Sequence, residues 1–331
     1  MNQHNSYNRR EFISTLLSGI AAGSALLSCQ RTGAGGIPTR PLGKTGEYVS
    51  IIGLGGWDVA AKESDEEVIK LIQFAANEGV TFFDNSWDYH EGHAETLMGK
   101  AMKEGNLRDQ VFLMTKVCGR DYASAKQHLE DSLRRFQTDR IDLWQFHGIK
   151  YEDDPKLIFD PENGAMKAAL EAKQEGKIRY IGFTGHQHPK YHLAMLEQDF
   201  EWDSVMMPLN ILDPHYHSFQ KQVMPVCNRR DIAVLGMKSL GAQNGRISRE
   251  TNVSPQVCRR YALSLPVSSL VVGIQNKKEL VSDIEVARNF QPLNEEEITE
   301  ILSNTKELGM NGQIEAYKVG NYGCDWHHNK A

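Results

Sequence analysis

No CxxC pair occurs among the five cysteines of this 331-residue chain, and Cys29, Cys118, Cys227, Cys258 and Cys324 are widely spaced. Such spacing suggests neither a disulfide framework nor a zinc centre. Cys118 and Cys258 fall within apolar patterns and are read as buried thiols. Positive charge is short as well: 37 Lys and Arg stand against 43 Asp and Glu, a net charge of −6. That balance excludes nucleic acid as the main partner, because phosphate binding calls for clustered cations. No apolar run is both long and pure enough for a membrane-spanning helix. Gly53-Leu54-Gly55-Gly56-Trp57 lacks the glycine fingerprint that follows the first strand of an open dinucleotide-binding sheet.

At the N-terminus, Arg9-Arg10 precedes an uncharged stretch, 13–28, of apolar, small and hydroxylated residues. It reads as a secretion signal, and the paired arginines resemble the twin-arginine type. Leu26-Leu27-Ser28-Cys29 is similar to a bacterial lipobox, in which Cys29 would carry lipid and become the mature N-terminus. The plainer alternative is a disordered tail with two adjacent arginines. Residues 1–29 are assigned to this signal segment, 30–39 to a linker, and 40–331 to one folded domain. The expected location is periplasmic or membrane-anchored through Cys29, and cytoplasmic if the signal is unused.

From Arg40 onward, strand-like and helix-like patterns alternate. Strands are expected to end near Leu54, Asp84, Lys116, Phe146, Thr184, Met207, Lys238 and Ile274. Helical patterns fill 64–77, 93–103, 124–136, 163–174, 188–197, 219–228, 254–264 and 277–288. Ser64 and Glu67 have capping-box spacing ahead of Val68, Leu71 and Ile72. The runs YIGFT, IAVLGMK and LVVGI are apolar nearly throughout, as in strands covered on both faces. Eight such units predict an α/β fold, a (β/α)8 TIM barrel. Before it, 40–49 reads as a β-hairpin turning at Thr45-Gly46; after it come a C-terminal helix, 293–308, and a tail.

Three apolar runs, VTFFD, VFLMTK and IDLWQFH, reach polar ends at Asp84, Lys116 and His147, with Tyr89 just past the first. Strand ends of a parallel barrel share one face, so separate stretches can deliver one site. A phenol, an ammonium, a carboxylate and an imidazole suit proton transfer to or from a carbonyl oxygen. Singly, each has an ordinary structural reading, Asp84 as a turn cap and Lys116 as an exposed strand end. Together they form a candidate catalytic set.

Across 40–288, the segments RPLGKTGEYVSIIGLGG, FFDNSWDY, GHAETLMGKAM, TKV, DRIDLWQFH and GKIRYIGFTGH resemble, in order, those of the aldo-keto reductase family. The resemblance implies an NAD(P)-dependent oxidoreductase interconverting a carbonyl and an alcohol, with Tyr89 as general acid/base beside Lys116, His147 and Asp84. A free tyrosine titrates near ~10, and Lys116 is expected to lower that value. Asp84 is expected to pair with a buried Lys116, and His147 to donate to the carbonyl oxygen.

The resemblance also implies a nicotinamide dinucleotide lying over the strand ends. Gly56 and Trp57 follow the first strand, with Asp84 near the nicotinamide; Thr184 and Gly185 stand where the family holds the carboxamide. Met206 replaces the usual glutamine and weakens that grip. Lys238, Ser239, Leu240 and Gly241 match the pyrophosphate loop. Gly273, Ile274, Gln275 and Asp283 belong to the adenosine end. Gly273 and Glu279 occupy places where some members carry Lys and Arg for a 2′-phosphate, so NAD is credible, while family habit favours NADP. Trp57, Trp87, His147 and His186 are candidate pocket walls, joined by His188, Asn210, His215 and Tyr216, and their flat rings with polar tips suit a sugar-like substrate. No metal set is complete. A dinucleotide-binding barrel with a regulatory role, and an aldolase or isomerase using Lys116 for a Schiff base, remain as alternatives.

Overall fold

Three short antiparallel strands come first in the computed structural model, which describes residues 30–61, 64–242, 245–320 and 322–327. They are β1 (Arg31–Thr32), β2 (Pro38–Pro41) and β3 (Tyr48–Ser50). β2 and β3 form the expected hairpin, turning through Gly46 in a left-handed conformation (φ 83°) that glycine tolerates. The expected linker is corrected here: Arg31 pairs with Thr39 and Thr32 with Pro38, so these residues extend the hairpin into a sheet. The signal segment, Arg9-Arg10 and Cys29 lie outside the described residues.

Eight parallel strands then close on themselves: β4 (Ile52–Gly55), β5 (Phe82–Asp84), β6 (Phe112–Val117), β7 (Ile141–Phe146), β8 (Ile178–Thr184), β9 (Ser204–Pro208), β10 (Ala233–Met237) and β11 (Ser269–Val272). This is the expected (β/α)8 barrel. Its interior is packed by Phe82, Phe112, Met114, Leu143, Met206 and Leu235, and the hairpin adds Leu42 and Val49 at the end where the strands begin. The surrounding helices bury their apolar stripes against the outer strand faces, as Val68, Leu71, Ile72 and Ala75 do on helix Asp65–Asn77. Ser64 caps that helix, accepting from the Glu67 amide. Fully buried Arg40 ties the hairpin to the barrel by donating to the Val267 and Leu263 carbonyls, both at 2.9 Å; burial pushes its guanidinium down to about 10.

Two helical expectations change in detail. The 219–228 pattern splits into Phe219–Gln222 and Met224–Arg229, because Pro225 has no amide hydrogen and starts a new helix. The expected C-terminal helix runs Glu295–Gly309 behind a complete capping box from Asn294 and Glu297, and a short helix, Ala316–Val319, follows it. No helix among the described residues is long and apolar enough to cross a membrane.

The tail leaves that helix and returns across the face where the barrel strands end. Lys318 bonds Asp213 at 2.8 Å, Gln187 donates to the Gly320 carbonyl at 3.2 Å, and the Tyr151 hydroxyl meets Asp325 at 2.7 Å. Cys324 is brought to Cys118, and the two form a disulfide with a Cα–Cα separation of 6.3 Å. The reading of Cys118 as a buried thiol is thus corrected. Its partner stands 206 residues later and is delivered only by the returning tail. Cys258 is the expected buried thiol and Cys227 is another, each pushed up to about 12, chiefly by burial.

A link closing so long a loop stabilises by about 2–4 kcal/mol. Cys324→Ser is therefore expected to lower unfolding stability by that order in urea titration, with amide exchange quickening first at the tail. A protection pattern unchanged across 322–327 would refute the tether.

Candidate active site

Strand register brings the expected residues to one place. Gly55 lies opposite Asp84, Asp84 opposite Met114, and Lys116 opposite Gln145. The Lys116 ammonium donates to Asp84 Oδ1 at 2.5 Å, to the Asn85 carbonyl at 2.6 Å and to the Tyr89 hydroxyl at 3.3 Å. The Tyr89 ring meets the His147 ring edge-on, with centroids 5.7 Å apart. All four proposed catalytic side chains therefore converge. Tyr89 heads a turn in which His90 and Glu91 both take left-handed backbone. His90 steadies that turn by stacking on Trp57 and by a 2.8 Å contact with the Trp57 carbonyl.

Electrostatics correct one expectation. Burial raises the Tyr89 pKa well above its ordinary value, and the Asp84, Asp88 and Asp58 carboxylates raise it further. Lys116 does not reverse this. Asp84 is also raised, by burial first, with the attraction of Lys116 working against it. The phenol in this chain holds its proton more tightly than free tyrosine.

Residues that sequence reasoning passed over complete the surroundings. Asp88 contacts His147 Nδ1 at 3.1 Å and accepts from Ser86 Oγ at 2.5 Å. Arg120 donates to the His147 carbonyl at 2.6 Å and pairs with buried Asp154 at 2.7 Å, fixing the ends of β6 and β7. Asp88, Cys118, His147 and Cys324 bring possible metal donors within 4.8 Å of one another. The disulfide occupies both sulfurs, however, and the remaining imidazole and carboxylate bond each other.

The cofactor loops can be tested for fit to a dinucleotide. Lys238 sits in left-handed backbone (φ 57°), and its ammonium makes no hydrogen bond among the described residues. Burial lowers its pKa, with Asp58 opposing and Lys116 reinforcing the shift. A half-buried cation without a hydrogen-bonded anion among the described residues suits a phosphate. Ser239 is fully buried and accepts from Arg259 at 2.6 Å. Arg259 also grips Asp283 through two bonds, 3.0 and 3.1 Å, and reaches the Gly273 carbonyl at 3.4 Å. Asp283 thus acts through Arg259, which braces both expected cofactor loops. At Gly273 a Cβ would lie 1.9 Å from Asp58 Oδ2, so a larger residue there would have to displace the Asp58 side chain.

Near that face, Glu279 accepts from the Gln275 amide at 2.8 Å and from the Asn276 side chain, also at 2.8 Å. Thr184 is buried at the end of β8, and Gly185 packs against the Ile149 carbonyl. Met206 lies in the inner core, where its thioether packs and offers no polar grip. Gly56 packs against the Asn85 amide, and Leu240 joins the main core while Gly241 takes left-handed backbone (φ 75°).

The pocket candidates divide. His186 keeps a buried Nδ1 without a partner among the described residues, its pKa well below normal through burial and the nearby Lys238 and His147. Trp57 is half-exposed and touches Tyr89 edge-on. Trp87 stacks on His128 and meets Trp326 of the tail. Asn210 is engaged in structure, donating to Glu315 and Tyr317, and His215 packs against Thr305.

Comparison with known proteins agrees with the barrel fold. The model of the Aldo/keto reductase family matches residues 51–256. Aldo-keto reductase YhdN of Bacillus subtilis is 32% identical over 226 residues, covering 62% of this chain and 63% of that protein. L-Galactose dehydrogenase of Arabidopsis thaliana is 28% identical over 159 residues, 45% of this chain and 49% of its own length. The chain thus spans less than two thirds of these two curated relatives. Among solved structures, the holo form of aldo-keto reductase AKR11C1 from Bacillus halodurans superposes with a TM-score of 0.66 at 25% identity, covering 80% of this chain and 95% of that one.

Proposed function

The chain belongs to the aldo/keto reductase family, and from that premise we propose that it is an NAD(P)-dependent oxidoreductase interconverting a carbonyl and an alcohol on a sugar-like small molecule. The carrying observation is the convergence of Tyr89, Lys116, Asp84 and His147. When bound, the dinucleotide supplies or takes up the hydride. Lys238 and the loop that begins at Ser239 would hold its phosphates, and Arg259 and Asp283 brace that loop. Tyr89 gives its proton to the substrate oxygen as the carbonyl is reduced, and His147 offers a second polar contact to that oxygen. Lys116 and Asp84 neutralise each other beneath the phenol.

NADP(H) is the first dinucleotide to test. Glu279 is engaged by its own loop and brings no cation to a 2′-phosphate, so NAD(H) is tested beside it. The sugar-like class is supported by the polar rings around the face and by the likeness to a galactose dehydrogenase. Export is part of the same reading: Arg9-Arg10 and the lipobox-like Cys29 direct the chain outside the cytoplasm, tethered by lipid. The Cys118–Cys324 link supports it, since disulfides persist in oxidising compartments. A twin-arginine route carries folded protein, so the barrel can leave with its dinucleotide held tightly and recycled in place.

The test follows nicotinamide absorbance with NADPH and NADH against a panel of aldoses, ketoses and simple aldehydes. Turnover on polyhydroxylated carbonyls that vanishes in Tyr89→Phe supports the proposal. Dinucleotide binding without turnover on any of them refutes it. Mass spectrometry of the purified protein checks for bound dinucleotide, and loss of all of it on desalting defeats the retained-cofactor reading.

A further inference from the structure

Among the described residues, His147 is held from one edge only. Its Nδ1 lies 3.1 Å from Asp88 Oδ1, 3.1 Å from Ser86 Oγ and 3.6 Å from Cys118 Sγ. Nε2 is on the opposite edge of the ring and makes no hydrogen bond among the described residues. The direction of the bonds around Nδ1 can be read from donor supply. Ser86 Oγ gives its proton to Asp88 Oδ1 at 2.5 Å, so both oxygens near Nδ1 are acceptors toward the ring. The sulfur belongs to a disulfide and has no proton. With no donor facing it, Nδ1 must itself carry the hydrogen.

Asp88 is suited to that task. Burial opposes its ionisation, yet the attraction and hydrogen bond of His147, with help from Ser86, hold its carboxyl well below the usual carboxylate range. It is a carboxylate, and it accepts.

We propose that Asp88 is a positioning residue for catalysis: it fixes the proton of His147 on Nδ1 and turns Nε2 toward the substrate oxygen. This rests on the oxidoreductase reading given above. The consequence is chemical. A neutral ring so held presents a lone pair at Nε2, which accepts a hydrogen bond from an alcohol hydroxyl. The same ring donates to a carbonyl oxygen only when both nitrogens carry hydrogen, and the Asp88 carboxylate then balances the added charge. A carboxylate that fixes the tautomer and stabilises the imidazolium is a recurring solution in acid–base sites. Here it is supplied from the loop between β5 and Tyr89, one residue before the phenol itself.

The test is Asp88→Asn, whose amide keeps the size but can donate to Nδ1 and move the proton to Nε2. Carbonyl reduction and alcohol oxidation are both expected to lose at least about tenfold in kcat, within the range typical of acid–base groups. KM and dinucleotide affinity should stay within about threefold, because Asp88 acts through His147. The two directions fall together, since the overall equilibrium is unchanged. In a His147→Ala background the same substitution should have no further effect, a coupling that a merely structural residue would not produce. Asp88→Glu, which keeps the carboxylate, should recover part of the loss.

Nitrogen-15 NMR of the histidines, with His147→Ala to assign the signal, reads the tautomer directly. Nδ1–H in the parent protein and a shift toward Nε2–H in Asp88→Asn support the proposal. A parent ring protonated on Nε2 alone overturns it, as does a kcat within about twofold of the parent or an undiminished loss in the His147→Ala background. If the parent chain turns nothing over, the oxidoreductase reading has failed, while the NMR arm still decides the hydrogen-bond assignment.

Discussion

Tyr89→Phe is expected to lower kcat by about 10²–10⁴ in both directions while dinucleotide binding and unfolding stability stay near those of the parent protein. The hydroxyl is the only group the substitution removes, and it receives a 3.3 Å bond from Lys116 that contributes little to holding the fold. The ring stays, with its edge contacts to Trp57 and His147. The loss therefore belongs to the reacting oxygen. Its size reflects two roles at once, a proton donor and one arm of the site that stabilises charge on the oxygen. Stopped assays at saturating substrate separate kcat from KM. A decrease of less than about tenfold would remove the phenol from the chemistry and leave His147 as the main acid.

The raised pKa of Tyr89 bears on how it works. Desolvation outweighs Lys116 because the Lys116 charge is already engaged by Asp84 at 2.5 Å, and Asp84 and Asp88 each penalise a phenolate. A phenol so placed is a reluctant acid until a neighbouring positive charge develops. The arrangement makes sense of a second polar contact to the same oxygen from His147.

Much of this site was legible in the sequence for a physical reason. Barrel strands covered on both faces are apolar nearly throughout, so a polar residue closing such a run stands out; Asp84, Lys116 and His147 each do. Parallel closure then gathers them on one face without further instruction from the chain. Asp88 carried no such signal. It lies in a loop where acidic residues are ordinary, and only the turn through His90 and Glu91 sets it against the imidazole. Arg259 was hidden differently, as one of two adjacent arginines on a helix, distinguished only by which of them faces the cofactor loops. The Cys118–Cys324 link depends on a tail whose path is set by Lys318, Asn210 and Asp325, contacts between residues more than a hundred positions apart. Local pattern does not encode such a return.

The buried pair beneath the phenol gives the largest expected effect on stability. Lys116 and Asp84 are 1% and 3% exposed, so neither charge can turn to solvent if the other is lost. Lys116→Met leaves Asp84 buried with its ionic partner gone and also removes the donor to the Asn85 carbonyl. Breaking such a pair costs about 3–5 kcal/mol, whereas replacing both charges by groups of similar volume is often nearly neutral. Lys116→Met is accordingly expected to be destabilised by that amount, and Lys116→Met with Asp84→Asn to regain most of it while remaining inactive. Urea titration of both variants, with the slope compared to guard against a change in the denatured state, reads the difference. Recovery in the double variant would mean that the ion pair is kept for the chemistry above it and contributes little net stability. A double variant as unstable as the single one would instead make the pair part of the framework that holds β5 against β6.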